Sequence, residues 1–417
     1  MPKSILSLLI FFSATAAMEA TVFQSTVATG LTSGTGLAVA GDGRVFVLQR
    51  TGEVRLVENG ILSGTSVMNA AAISGFYSGS LENGLIGVAL DPNFGANGFV
   101  YLHYNRELPG GDVSNRVSRF TMVGNSIDTA TEQILIDLEA TGSHRHVGGG
   151  MVFGADGKLY VGVGDRDVPA SSQTATDTWG SVLRLNPNGT FAGGDLFPLD
   201  NPFLTLQTDK GSAVFVQGLR NPFGLAVNPA NGLMLINDAG ESNWEEINAV
   251  AFGNPIGAAA GANFGWPNCE GDFVLNTINP CNTSFPTHTS PLYAYGSNGT
   301  GDFAITGGAF YLGDYLFGDW GSGKIRRMTF SGGTATVDPV LFATVDGFGL
   351  SALATSADGM GVYYLHTGGT LGFLTTVPEP ATCLTVAMAL TLLLLRQTRF
   401  QLRPASIKRR DLRLGNS

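Results

Sequence analysis

Charge and cysteine are both scarce in this 417-residue chain. Charged residues make up 13% of it, about half of ordinary usage. The three cysteines and five histidines show no zinc-type spacing. No Gly-x-Ser-x-Gly nucleophile elbow is present. The glycine clusters at 34–36 and 148–154 lack the strand–helix context of a dinucleotide site. No helix-period segment appears outside the two ends. The net charge of −10 argues against nucleic acid or an anionic membrane as partners of the main body. Arg396, Arg399, Arg403, Lys408, Arg409, Arg410 and Arg413 crowd the C-terminus, so the remainder is more acidic still. Such a body suits a divalent cation, or simply solubility.

Glycine is what the chain has in excess, with 58 residues, about twice average usage. Many of these sit in one recurring pattern of apolar strand, Gly/Asp/Asn turn and apolar strand. It occurs at 36–48, 87–104, 149–163, 224–236, 307–328 (a weaker copy) and 353–365. Asp-Gly and Asn-Gly between apolar runs are hairpin signals, because both central positions of the tight turn need positive φ. Six similar hairpins predict an all-β fold, a six-bladed β-propeller, with a β-sandwich as the alternative. Polar segments 106–117, 166–180, 190–212 and 268–302 read as surface loops.

The two ends read as targeting segments. Residues 1–20 carry Lys3, an apolar run and small residues near Ala16, the pattern of a secretory signal peptide. The propeller is then expected at 21–376. Val377-Pro-Glu-Pro380, the apolar stretch 381–395 and the basic tail together resemble a PEP-CTERM sorting segment, here 377–417. That resemblance implies a transmembrane helix at 381–395, an exosortase-type processing enzyme as partner, and delivery to the bacterial cell envelope or extracellular matrix. An ordinary C-terminal membrane anchor is the other reading. Cys383 lies in that stretch. Cys269 and Cys281 remain for the body and are candidates for one disulfide in an oxidising compartment.

Three short blocks carry the chemistry. His146 precedes a Val and three glycines, and Asp165 stands at the far end of the following hairpin. A hairpin returns to its starting end, so Asp165 can fix the tautomer of His146 as a general base requires. Two separate turn-capping roles would explain the same spacing. Gly218-Leu-Arg-Asn-Pro-Phe-Gly224 places Arg220 and Asn221 before a rigid turn, where Arg stabilises an oxyanion or serves as a loop bracket. The third block is Asp238-Ala-Gly-Glu-Ser-Asn-Trp-Glu-Glu-Ile-Asn248, leading into Asn263-Phe-Gly-Trp-Pro267.

In wording and order these blocks resemble the glucose/sorbosone dehydrogenase family, which includes soluble quinoprotein glucose dehydrogenases using pyrroloquinoline quinone (PQQ) and calcium. The resemblance covers about residues 25–375 and implies roles. His146 would take the sugar hydroxyl proton, with Asp165 orienting it. Arg220 and Asn221 would contact the quinone, and the backbone carbonyls of Gly240 and Glu241 would bind Ca²⁺. Glu82 and Arg145 stand at substrate positions. The departures are equally specific. Where the family supplies a Lys and two Arg to the cofactor carboxylates, this chain has Gly321, Gly349 and Ser351. Lys324 lies three residues away, and Arg326, Arg327 and Arg166 are the other cations at hand.

The leading expectation is an exported oxidoreductase, a PQQ-dependent aldose dehydrogenase acting on CH–OH groups of a sugar or related alcohol. Membrane contact would run only through the C-terminal helix before processing. The alternative is a propeller without cofactor that binds glycans or proteins at the envelope or in the matrix.

Overall fold

Several of the strands that follow the glycine-marked turns are mainly apolar and buried throughout, because both of their faces are covered. Val45–Gln49, Leu159–Val163 and Met234–Asp238 are buried at every position. A continuous apolar run of this length is what a strand packed on two sides requires. The computed structural model describes residues 21–80, 82–252, 256–297 and 301–377. Segment 1–20, read as a signal peptide, the Pro-Glu-Pro motif and the 381–395 stretch lie outside the described residues. Among the described residues no helix is long and apolar enough to cross a membrane.

Six antiparallel sheets follow one another along the chain as the blades of a propeller. Their innermost strands are Gly34–Val39, Leu85–Leu90, Met151–Phe153, Pro222–Val227, Ile305–Tyr311 and Leu350–Thr355. In the sixth sheet Val362–His366 and Thr370–Val377 follow the inner strand. The outermost place there is taken by Thr21–Ala28, from the other end of the chain. Residues Gln24–Thr375 form one compact unit.

Each innermost strand packs against the next, and the first against the last, so the ring closes. Backbone meets backbone there. A Cβ on Gly87 would lie 2.2 Å from the Gly149 carbonyl oxygen, and one on Gly224 would lie 2.4 Å from that of Thr306. The strands enclose a narrow channel of about 70 Å³ lined by Thr35, Gly87, Gly149, Gly224, Gly307 and Ser351. Apolar side chains fill the wedges between blades. Phe46, Leu56, Phe94 and Phe120 close the first wedge, and Tyr101, Leu159, Leu183 and Phe197 the second. Fully burying a side chain of this class contributes about 1.5–3 kcal/mol.

The six hairpins stand where the sequence pattern places them, with two adjustments. Segment 106–117, read as a loop, is mostly strand. Phe99–Glu107 pairs along its whole length with the first nine residues of Val113–Val123, and only a short turn separates them. Its Ser, Asn and Arg residues look loop-like because the ladder buries them by side-chain hydrogen bonding. The fifth pattern, 307–328, runs on into a third strand, Lys324–Ser331. The loop 268–302 contains a small hairpin, Cys269–Glu270 with Phe273–Val274, and ends in the outer strand Tyr293–Gly296.

Candidate active site

The site residues all stand at one end of the inner strands. His146 leads into Met151–Phe153, and Arg220 and Asn221 lead into Pro222–Val227. Asp165 and Asp238 stand at the returning ends of second strands. Three non-glycine residues here hold left-handed backbone, His146 (φ 49°), Arg166 (φ 56°) and Asp167 (φ 57°). Each such residue costs on the order of 1–3 kcal/mol, and strain of this kind gathers at functional sites.

Asp165 is fully buried and both its oxygens are used. Oδ1 accepts from His146 Nδ1 at 2.7 Å and from the Asp167 backbone N–H at 3.0 Å. Oδ2 accepts from the Trp266 indole Nε1 at 2.8 Å. The carboxylate has no hydrogen to give, so Nδ1 carries the imidazole proton and Nε2 keeps its lone pair. Glu82 Oε2 accepts the His146 backbone N–H at 2.6 Å, which fixes the turn from the neighbouring blade.

Arg220 closes the other side. Its Nη2 donates to His146 Nε2 at 2.8 Å. Nε donates to Glu241 Oε2 at 2.8 Å, Nη2 also bonds that oxygen, and Nη1 donates to the Ala239 carbonyl at 3.1 Å. The Asp238 carboxylate takes the backbone N–H groups of Arg220 (2.9 Å) and Asn221 (2.6 Å). Burial pushes Asp238 well above the usual carboxylate range, against the pull of those two N–H groups. Glu246, its partner across the strand pair, is raised by burial and by the Asp238 charge. Asn221 Oδ1 accepts the Gly148 N–H at 2.9 Å and so holds the glycine turn after His146.

Loop 240–244 is shaped by a residue the sequence pattern does not single out. Glu270 Oε1 accepts the backbone N–H groups of Glu241 (2.7 Å), Ser242 (2.9 Å), Asn243 (3.2 Å) and Trp244 (3.3 Å). Four donors on one oxygen turn the loop about that carboxylate, while Gly240 N–H goes to Glu245 at 3.2 Å. Cys269, beside Glu270, forms a disulfide with Cys281, their Cα atoms 5.9 Å apart.

A sequence profile of the glucose/sorbosone dehydrogenase family matches residues 31–349. The chain belongs to that family. Among curated glucose/sorbosone dehydrogenase relatives, aldose sugar dehydrogenase YliI of Escherichia coli is 26% identical over 247 residues, 57% of this chain and 60% of that one. Quinoprotein glucose dehydrogenase B of Acinetobacter calcoaceticus is 30% identical over 217 residues, 46% of this chain and 41% of that one. Human Hedgehog-interacting protein is also 30% identical, over 220 residues and 31% of its length. The chain therefore spans less than two thirds of each of these three. The PQQ-bound aldose sugar dehydrogenase of Streptomyces coelicolor superposes with a TM-score of 0.68 at 24% identity, covering 86% of this chain and 99% of that one. At that identity the likeness shows the fold alone.

The other residues singled out by the glucose/sorbosone dehydrogenase pattern are scattered. Arg145 is 62% exposed in its side chain and lies 3.8 Å from Asp167. Lys324 Nζ bonds Asp302 at 3.1 and 3.2 Å, and Arg326 bonds the same carboxylate at 2.9 Å. Arg327 is paired with Asp338. Arg166 is not a replacement cation for a ligand. It is buried and donates to Asn115 Oδ1 and to the carbonyls of Val113 and Ser143 at 2.8–3.0 Å, bracketing the His146 turn to the second blade. Trp266 donates its indole N–H to Asp165, the carboxylate that His146 Nδ1 also bonds. The sequence pattern includes its block, but no local signal links Trp266 to Asp165, 101 residues away.

Behind this bracket sits His103, fully buried, with Nε2 3.0 Å from Asn115 Nδ2. Burial, reinforced by the Arg166 charge, pushes its proton affinity down to about 3. An unfolded His takes up a proton near about 6.5, so there the unfolded chain binds more protons than the folded one. The stability tied to neutral His103 is present above that pH and drains as pH falls toward 3, by at most about 1.4 kcal/mol per pH unit. His103→Gln is expected to flatten the stability profile between about pH 6.5 and about pH 4.5 in urea unfolding. An unchanged slope would mean that His103 does not govern acid sensitivity.

Proposed function

We propose that this chain is an exported PQQ-dependent dehydrogenase oxidising an aldose or a related alcohol, with His146 as general base. The observation that carries the reading is the imidazole with Nδ1 on buried Asp165 and its acceptor Nε2 turned to Arg220.

The residues fit the quinone end of the cofactor. Arg220 is a guanidinium beside the base, as an oxygen gaining negative charge requires. Lys324 would reach a cofactor carboxylate only by leaving Asp302, which it shares with Arg326. PQQ, when bound, supplies the two-electron acceptor that takes hydride from the sugar carbon. His146 Nε2 would take the hydroxyl proton in the same step. Asp165 stabilises the imidazolium so formed and, held by Trp266, keeps the ring from turning. The carbonyls of Gly240 and Glu241 would hold Ca²⁺, on the loop that Glu270 shapes. Glu82 and Arg145 would flank the sugar. Residues 1–20 would direct export, and 377–417 would be the sorting segment, with helix 381–395 anchoring the protein until an exosortase-type enzyme cuts it.

One observation favours a second reading, a binding propeller without cofactor for glycans or proteins at the envelope. Arg220 and Lys324 already have carboxylate partners, as residues without an anionic ligand would. Titration of the purified protein with PQQ and Ca²⁺, followed by quinone absorbance, separates the two. The dehydrogenase reading expects saturation on the order of micromolar and loss of the quinone band on adding aldose. No saturation would move the protein to the binding reading.

A further inference from the structure

We propose that Glu241 is a positioning residue that keeps the base masked, its carboxylate holding the Arg220 guanidinium across His146 Nε2. This rests on the reading of His146 as the base. The geometry is specific. Arg220 Nη2 bonds both Glu241 Oε2 and His146 Nε2, and Nε and Nη1 lock the same plane onto Glu241 and the Ala239 carbonyl. Nε2 has one lone pair, and while that lone pair accepts from Arg220 it cannot accept the proton of a sugar hydroxyl. The base works only once Arg220 swings away or turns its hydrogen bonds to another acceptor.

The chemistry of the latch says what releases it. Arg220 is held by a carboxylate in a charge-assisted pair, and a neutral hydroxyl competes poorly for such a cation. A ligand bearing carboxylates or a developing oxyanion competes well. The exchange has a way in, because the Glu241 side chain is 43% exposed while that of Arg220 is 8% exposed. The site thus takes its ligands in order, an anionic one that draws Arg220 off Glu241 and then the neutral sugar on the freed Nε2. Glu241 weakens anion binding in exchange for a base that stays covered until the anion arrives.

The test uses the full-length protein without ligand. Diethyl pyrocarbonate acylates an imidazole only through a free lone pair, and mass spectrometry reads the His146 peptide alone. Glu241→Gln keeps the shape and removes the charge. It is expected to raise the His146 modification rate at least about fivefold, while Glu241→Asp stays closer to the parent. In an Arg220→Gln background Glu241→Gln is expected to change nothing further, since the mask acts through Arg220. PQQ should bind Glu241→Gln about tenfold more tightly than the parent. Equal modification rates in parent and Glu241→Gln, both folded by thermal melting, would overturn the mask. So would an equal acceleration without Arg220. If neither protein binds PQQ, the dehydrogenase reading fails, while the modification rates still decide the mask.

Discussion

Exchanging His146 for Asn is expected to lower sugar-dependent turnover of the PQQ-loaded protein by roughly 10²–10⁴-fold, the range that one positioned general base contributes. Asn is the informative substitution because residue 146 holds φ 49°, a conformation Asn tolerates better than Ala. The variant should therefore keep its thermal midpoint, and the loss can be assigned to the missing imidazole. Asp165 is then left with the Asp167 N–H and the Trp266 indole as donors, so the buried carboxylate is not orphaned. Dye-coupled assays at saturating PQQ and sugar give kcat. A variant within a few-fold of the parent would remove His146 as the base and leave the fold assignment untouched.

The second large effect concerns stability. Gly224→Ala adds one methyl group where the inner strands of the fourth and fifth blades touch, 2.4 Å from the Thr306 carbonyl and 3.3 Å from Asn237 Cβ. The Thr306 carbonyl is backbone of the neighbouring inner strand and cannot step back without opening the ring. The loss is expected to exceed about 3 kcal/mol, in the range reserved for overpacked cores. Gly41→Ala is the matched control, since a Cβ there meets nothing within 4 Å, and it should move the urea midpoint very little. If the two variants unfold at the same urea concentration, the inner ring is softer than its geometry implies.

These positions also explain what the sequence made legible. The inner hairpins announce themselves because their turns demand Gly, Asp or Asn and their second strands are apolar on both faces. The outer strands do not. Ser126–Thr141 is largely exposed or half-buried with frequent polar residues, and Val113–Val123 buries Asn115, Arg116 and Ser118. Polar side chains satisfied by one another look like loop in a one-dimensional reading. At the site, His146 and Asp165 were readable because a single hairpin joins them. The contacts of Glu270 and Trp266 were not, since each reaches its partners from another segment with no turn or hairpin to join them. Lys324, expected to serve a cofactor, rests on Asp302. That partner stands 22 residues earlier, and no turn chemistry links the two.

The sixth blade has a consequence in time. Among the described residues its outermost strand, Thr21–Ala28, comes first in the chain, and the strand it joins, Thr370–Val377, comes last. A contact of that sequence separation is among the slowest kinds to form, because the whole intervening chain must be ordered before it is rewarded. Until then each partner presents a bare row of backbone donors and acceptors to any other strand nearby. The clasp therefore makes the ring an all-or-none object, and a chain interrupted anywhere before residue 370 is left with an edge open to aggregation.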